Sequence, residues 1–184
     1  DNGRVGFGST EWPDLDAAVR YAVAHGAEHV VLMGASMGGA IVASYLRHAE
    51  DTSVVTAVVL DSPALSLQRT VDWGAAQIAF PGGLSLPAPV TWGAERLTSW
   101  RFGLDWHATD YVSDTRWADR PTLVFHGDAD TTVPIATSRE FAAADSQVTL
   151  IETPGAEHVA SWNVDPMRYE NALRDFLAPF ASTS

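Results

Sequence analysis

Short apolar runs alternate with segments of helical spacing along much of this chain. Four runs rich in Val, Ile and Leu are predicted to be strands, because continuous apolar character is typical of parallel strands buried on both faces. They lie at about 29–34, 54–60, 121–126 and 148–152. Their alternation with helical segments predicts an α/β fold with a mostly parallel sheet.

The helical segments are recognised by apolar residues spaced three and four positions apart. They are predicted at about 13–25, 37–49 and 134–144, with a last helix that begins at Asp165-Pro166. Asp before Pro is a common start of a helix, because the aspartate caps free N–H groups and proline needs no hydrogen bond there. Each helix is therefore expected to connect or flank the strands.

The first strand ends in the pentapeptide Gly-Ala-Ser-Met-Gly at 34–38, and a helical segment follows at once. Gly34 and Gly38 suit a sharp turn at which strand and helix pass close together. The helix begins just past Ser36, so its unpaired N–H groups would face an anion that forms at this serine. The pattern predicts that Ser36 is a nucleophile, and an ordinary strand-to-helix turn that happens to contain a serine is the alternative.

Two later strand ends carry an acid and a histidine. The strand at 121–126 runs into an acidic loop that contains Asp128 and Asp130. His158 lies in a turn just after the strand at 148–152. A serine hydroxyl needs a base to take its proton during attack, and a carboxylate can orient that base.

The order Ser, Asp, His, each at the C-terminal end of a strand, resembles the α/β-hydrolase superfamily, whose catalytic triad runs in this order. The closer resemblance is to bacterial serine hydrolases related to the prolyl-oligopeptidase group, and it covers nearly the whole chain. The pattern His-Gly-x-x-Asp-x-x-Val-Pro implies that Asp130, rather than Asp128, is the acid. The resemblance also implies His158 as the base and the backbone amide of Met37 as one oxyanion donor.

Two neighbouring residues compete for these roles. Asp61 also follows a strand, although its place before Ser62-Pro63 favours a hydrogen bond within that turn. His126 ends the strand at 121–126, and we expect it to orient the acidic loop through a hydrogen bond rather than to act as the base.

Composition excludes several classes of function. The chain has 184 residues, of which 46% are apolar, and this is enough for one domain with a core. Its net charge of −12 argues against a nucleic-acid partner. It has no cysteine, which excludes disulfides and thiolate metal sites, and neither a metal nor a cofactor is expected. No apolar run approaches the roughly 20 residues of a membrane span.

No strand is predicted before the first helix. In a hydrolase of the kind that this chain resembles, several strands and a loop with a second oxyanion amide precede the serine strand. A bare edge on the strand at 29–34 would also invite pairing with another chain. We therefore expect residues 1–184 to be a single partial domain, the C-terminal part of an α/β-hydrolase fold truncated at its N-terminus.

Residues 63–120 are predicted to be an irregular insertion. A crossover between parallel strands needs only about a dozen residues, and this one is far longer. It carries five of the seven tryptophans: Trp73, Trp92, Trp100, Trp106 and Trp117. Long insertions often serve as lids or pocket walls, so Trp92 and Trp100 are predicted to contact substrate. A local core filled by these rings is the alternative.

Together these observations predict a serine hydrolase that cleaves small-molecule carboxylic esters through an acyl-enzyme. A serine peptidase or amidase of the prolyl-oligopeptidase type is the runner-up. A non-catalytic binding module with a hydrolase fold is an alternative of another class, and the presence of all three triad residues argues against it. The sequence does not indicate a cellular compartment.

Overall fold

A computed structural model describes residues 5–77 and 105–181 of the chain. In these residues four parallel strands form one sheet in the order β1-β2-β3-β4. The strands are β1 (Val30–Ala35), β2 (Val55–Asp61), β3 (Thr122–Gly127) and β4 (Val148–Thr153). Each lies within one or two residues of its predicted position, which confirms the predicted α/β class with a parallel sheet.

Helices flank the sheet, and four of them match the predicted ones. The described helices are α1 (Trp12–Ala24), α2 (Met37–His48), α3 (Leu67–Gln77), α4 (Ile135–Ala144), α5 (Ser161–Val164) and α6 (Pro166–Leu177), with a short 3₁₀ turn at Ala178–Phe180. Asp165 caps α6, because its side chain accepts a hydrogen bond from the amide of Arg168 at 3.0 Å.

The strand register brings the carboxyl ends of all four strands to one edge of the sheet. Ala35 pairs with Asp61, Asp61 with Phe125, and Gly127 with Thr153. The loops that follow these residues therefore meet, although they are far apart in the chain. This is the edge at which ligands bind in open parallel sheets.

Two apolar layers hold the helices to the sheet. On one face, buried residues of α1, α2 and α4 pack against β1, β2 and β3, and the ring of Trp117 stacks on Phe141 with centroids 5.0 Å apart. On the other face, Tyr169 of α6 packs against Val59, Leu123 and Phe125. The sheet is thus a middle layer whose position is set by burial of apolar side chains on both sides.

The first strand is less covered than its sequence predicts. Leu32 is 5% exposed, but Met33 is 60% exposed, so β1 is not buried on both faces. Within the described residues, β1 lies at one edge of the sheet. On the second face, α6 packs on the central strands β2 and β3 and does not cover β1. An apolar run therefore predicts the strand but not its neighbours. The expected upstream strands and the truncation stay predictions.

Part of the insertion is regular. Leu67–Gln77 forms the helix α3, which the sequence analysis did not predict, and none of its residues is buried. Trp117 lies in the core and is 4% exposed, so for this ring the local-core alternative applies. Trp92 and Trp100 lie outside the described residues. A lid or pocket wall within 63–120 stays a prediction, as does the single-domain organisation.

Candidate active site

Ser36 lies between β1 and α2 in a strained backbone conformation, with φ 52° and ψ −122°. Only a few per cent of non-glycine residues have a positive φ. The serine does not use its hydroxyl to cap the helix that it precedes, so this hydroxyl points to other partners. The geometry is that of a sharp turn that presents a serine side chain at the end of a strand.

The two glycines that flank this serine differ in their surroundings. A Cβ added at Gly34 would lie 2.6 Å from the carbonyl oxygen of Gly38, a distance that would force the backbone apart. A Cβ added at Gly38 would meet no described atom within 4 Å. A close approach that requires glycine is therefore found at position 34. The sequence analysis expected it at both positions, and for Gly38 this was wrong.

A chain of two hydrogen bonds starts at this serine. Nε2 of His158 lies 2.8 Å from Oγ of Ser36. Nδ1 of the same ring lies 2.8 Å from Oδ2 of Asp130. The side chain of Asp130 is fully buried, while 24% of the imidazole surface is exposed. The structure thus brings the three predicted triad residues together, with the imidazole between the hydroxyl and the carboxylate.

Each oxygen of the Asp130 carboxylate has donors of its own. Oδ1 accepts hydrogen bonds from the amides of Thr132 at 2.8 Å and Val133 at 2.9 Å. Oδ2 faces His158 and also Nε2 of His126, which is 3.4 Å away. Burial alone would raise the pKa of this carboxyl, but the hydrogen bonds from these donors outweigh it and hold the pKa well below its usual range. Asp130 is therefore ionised over the range in which proteins work.

His126 is buried and makes no hydrogen bond to Ser36. Instead it supports the acidic loop. Its Nε2 faces two acceptors, the carbonyl oxygen of Val133 at 3.2 Å and the carboxylate of Asp130. Nε2 therefore carries the proton, and Nδ1 accepts a hydrogen bond from the hydroxyl of Ser138 at 2.8 Å. This agrees with the role expected for it from the sequence.

The two rival aspartates lie elsewhere. Oδ1 of Asp128 accepts a hydrogen bond from the amide of Gly155 at 2.6 Å, which ties the acidic loop to the histidine turn. Oδ2 of Asp61 accepts a hydrogen bond from the hydroxyl of Tyr169 at 3.1 Å. The expected hydrogen bond of Asp61 within its own turn was wrong, because its side chain points to the face that α6 covers, as Val59 does two residues earlier.

A family model described as serine aminopeptidase, S33, matches residues 9–114, which include the strained serine and more than half of the chain. The chain belongs to this S33 family. No curated protein sequence matches the chain. The predicted closeness to the prolyl-oligopeptidase group stays a prediction.

Solved structures of several hydrolases resemble this S33-family chain. The esterase Pf2001 of Pyrococcus furiosus superposes with a TM-score of 0.69 at 21% identity, over 97% of this chain and 65% of that one. The esterase domain of a Rhodothermus marinus protein gives 0.60 at 22% identity, over 94% and 70%. MGS-MChE2, an α/β hydrolase from the metagenome of lagoon sediments at Mar Chica, Morocco, gives 0.61 at 15% identity, over 97% and 77%.

These likenesses show that the S33-family chain has the α/β-hydrolase fold. The chain spans about two thirds of the length of the Pyrococcus furiosus esterase, 65%. Among the described residues, none of the helices has both the length and the apolar character that crossing a membrane requires. The same residues contain no cluster of three or more histidine, cysteine or acidic side chains that could hold a metal ion.

One residue beside the site was missed by the sequence analysis. The indole N–H of Trp73 on α3 donates a hydrogen bond to the carbonyl oxygen of Asp130 at 3.2 Å, and 38% of this residue is exposed. The ring therefore lies next to the acidic loop, with part of its surface open to solvent. The sequence analysis did not predict α3, and the acceptor of the indole N–H lies 57 positions away in the chain, so it could not place this ring at the acidic loop.

The predicted oxyanion donor lies at the start of α2. Met37 is the first residue of that helix, so its amide has no partner four residues earlier within the helix. This places the N–H beside Ser36, at the positive end of the helix dipole. The predicted substrate residues Trp92 and Trp100 lie outside the described residues, and their role stays a prediction.

Proposed function

We propose that this protein is a serine hydrolase that cleaves carboxylic esters through an acyl-enzyme. The observation that carries the proposal is the hydrogen-bonded chain from Ser36 through His158 to Asp130, with both links at 2.8 Å. Membership of the S33 family and the α/β-hydrolase fold support it.

The protonation states follow from the hydrogen bonds. An ionised carboxylate accepts hydrogen bonds only, so Nδ1 of His158 carries the proton that faces Asp130. The other ring nitrogen, Nε2, is then free to accept the proton of the Ser36 hydroxyl. This is the tautomer that a general base needs next to a serine nucleophile.

In the proposed reaction, Oγ of Ser36 attacks the carbonyl carbon of the ester while its proton moves to Nε2 of His158. The carbonyl oxygen becomes an oxyanion that faces the amide of Met37. Collapse of this intermediate expels the alcohol, which takes the proton from His158, and leaves the acyl group on the serine. Water then attacks the acyl-enzyme by the same proton route, and the acid leaves.

An ester is the preferred substrate class, because the similar structures include two proteins named as esterases. A peptide substrate is the second candidate, because the matching family is described as serine aminopeptidase. Both reactions use the same acyl-enzyme chemistry and differ in the leaving group. Trp92 and Trp100 are proposed to line the acyl pocket. The non-catalytic module remains the alternative of another class.

Labelling with a fluorophosphonate probe tests the proposal, because the probe reacts with an activated serine whatever the natural substrate is. We expect labelling of the wild type and none of Ser36→Ala, with Ser161→Ala as the control. Ser161 is also buried, and its hydroxyl has no partner among the described residues. Equal labelling of Ser36→Ala and wild type would overturn the nucleophile assignment.

Turnover separates the two substrate classes. We expect Ser36→Ala to lower kcat for p-nitrophenyl acyl esters on the order of a million-fold, as loss of a triad nucleophile does. Amino-acid p-nitroanilides, offered at the same concentration, report the aminopeptidase alternative. Hydrolysis of the anilides but not of the esters would replace the ester assignment by the peptidase one. A wild-type protein that hydrolyses neither substrate and is not labelled by the probe would refute the proposed function.

A further inference from the structure

Left-handed backbone is concentrated at the candidate site. Within the described residues, four non-glycine residues have a positive φ: Phe7, Ser36, Ser62 and Val159. Ser36 and Ser62 directly follow β1 and β2, and Val159 lies in the turn after β4. Ser62 is hydrogen-bonded to Val159, and Ser36 to Asp61, the residue before Ser62. Val159 is the least expected of them, because a β-branched residue with φ 53° is a conformational outlier. Such strain costs on the order of 1–3 kcal/mol for each residue and persists only where surrounding contacts hold it.

The corner after β2 binds both sides of the site. The carbonyl oxygen of Asp61 accepts a hydrogen bond from the amide of Ser36 at 2.9 Å. The hydroxyl of Ser62 accepts one from the amide of Val159 at 3.2 Å, 97 positions along the chain. Ser62 itself is fixed to β3, since its amide donates to the carbonyl oxygen of Phe125 at 2.9 Å. Two adjacent residues thus hold the nucleophile and the residue next to the base.

The histidine turn has a second anchor on its other side. Before His158, the carbonyl oxygen of Ala156 accepts a hydrogen bond from the amide of Ala129 in the acidic loop, at 3.1 Å. After His158, the amide of Val159 is bound by Ser62. The imidazole therefore lies between one anchor on the acid side and one on the nucleophile side. The acid side of the turn is held in addition by the bond from the amide of Gly155 to Asp128, so it is loss of the bond to Ser62 that would free one half of the turn.

We propose that Ser62 is a positioning residue that keeps His158 within reach of Ser36, and this rests on the proposed function. The hydroxyl holds Val159 in its strained conformation, and the ring of His158 is thereby directed at both its partners. Ser62 is fully buried, so bulk water cannot easily take over the bond to Val159 if the hydroxyl is removed. The turn would then relax toward an unstrained φ, and Nε2 would move away from Oγ.

A purely structural role for Ser62 is the alternative. In that case the hydroxyl only satisfies a loop amide, and its loss lowers stability without moving His158. The two roles differ in kinetics, because a misplaced base slows the chemical step while leaving substrate binding unchanged. An error of about 1 Å in a reacting group can cost on the order of a hundredfold in rate.

The test variant is Ser62→Gly, since glycine adopts the φ of 45° without strain and removes only the hydroxymethyl group. We expect kcat for a p-nitrophenyl ester to fall about ten- to hundredfold, with KM within about twofold, at a temperature at which the variant is folded. Ser161→Ala, the control from the neighbouring helix α5, should keep wild-type kcat. A kcat of Ser62→Gly within about threefold of the wild type would overturn the proposal.

A spectroscopic readout makes the test independent of turnover. The proton on Nδ1 of His158 that is bonded to Asp130 should give a low-field proton NMR signal, which is assigned by its absence in His158→Gln. We expect Ser62→Gly to weaken or abolish this signal and Ser161→Ala to retain it. An unchanged signal in Ser62→Gly contradicts the positioning role, whether or not the wild type hydrolyses esters. A wild type that hydrolyses no ester refutes the proposed function but does not decide the positioning role.

Folding failure is also decisive. If Ser62→Gly does not unfold cooperatively, and so lacks a stable fold, Ser62→Cys is tested in its place. A thiol is similar in size to the hydroxyl but is only a weak acceptor for the amide of Val159. If this variant folds, the same kinetic and NMR criteria apply to it. If neither variant folds, Ser62 has a structural role, and the positioning assignment is wrong.

Discussion

Asp130 and His158 lie 28 positions apart in the chain, and Oδ2 of the first is 2.8 Å from Nδ1 of the second. Asp128, only two residues before Asp130, instead accepts a hydrogen bond from the amide of Gly155. Both aspartates belong to one acidic loop, but only one of them faces the imidazole. This difference allows the proposed role of Asp130 to be distinguished from that of Asp128.

We expect Asp130→Asn to lower kcat on the order of ten-thousand-fold, because an amide favours the wrong tautomer of His158. Asp128→Asn should cost far less, since it changes a bond to a backbone amide at the turn. Ester hydrolysis at neutral pH, measured on both variants and the wild type, checks this. The opposite ranking would mean that the acid of the triad is Asp128.

The second prediction concerns stability at acid pH. The folded protein holds the pKa of Asp130 below its usual range, while in the unfolded chain it is near the ordinary value of about 3.9. As the pH falls past that value, the unfolded chain binds a proton that the folded protein does not, so the free energy of unfolding decreases. Asp130→Asn should therefore lose less of its free energy of unfolding between about pH 5 and pH 2 than the wild type does.

Asp61 provides the opposite control. Burial raises the pKa of its carboxyl, although the hydrogen bond from Tyr169 partly offsets this. As the pH falls through the raised pKa, the folded protein binds the proton first, and this contribution stabilises it. Asp61→Asn should therefore lose stability more steeply than the wild type as the pH falls. Urea unfolding followed by tryptophan fluorescence measures all three proteins, and parallel curves would refute both assignments.

The third prediction compares two glycines four residues apart. Gly34→Ala should lower the free energy of unfolding by about 1–3 kcal/mol, because its Cβ would press on the carbonyl oxygen of Gly38. Gly38→Ala should leave stability unchanged or raise it by up to about 1 kcal/mol, since alanine favours a helix and its Cβ meets no described atom. Denaturant unfolding checks the pair, and equal losses would contradict the difference.

The fourth prediction concerns the tryptophans of the insertion. If Trp92 and Trp100 line the acyl pocket, replacing either with alanine should change the ratio of kcat/KM between short and long acyl esters. One methylene in an apolar pocket is worth about 1–3 kcal/mol, so the ratio could change ten- to hundredfold. Trp12→Ala is the control, because that ring lies beside His48 at the far end of α2.

Melting temperature, measured on the same variants, distinguishes a pocket from a local core. A lower melting temperature with an unchanged acyl-length profile would assign these rings to packing and remove them from the substrate site. A changed profile at an unchanged melting temperature would support the pocket.

Local patterns in the sequence determined the elements and the candidate residues that follow them. Apolar runs locate the four strands, and Gly-Ala-Ser-Met-Gly between a strand and a helix predicts the sharp turn at Ser36. Asp128, Asp130 and His158 became candidates because each follows a strand, and parallel strands end at the same edge of a sheet. The choice of Asp130 over Asp128, and of His158 as the base, came from the resemblance to the α/β-hydrolase superfamily.

Tertiary structure alone decided the contacts between distant segments. The exposure of Met33 depends on what lies beside β1, and the partner of Asp61 depends on the position of α6. The bond from Val159 to Ser62 likewise joins residues 97 positions apart. Side chains such as these have no local signature, because their partners are set by how helices and strands pack. The sequence therefore determined where the candidate catalytic residues lie, and packing decided what holds them in place.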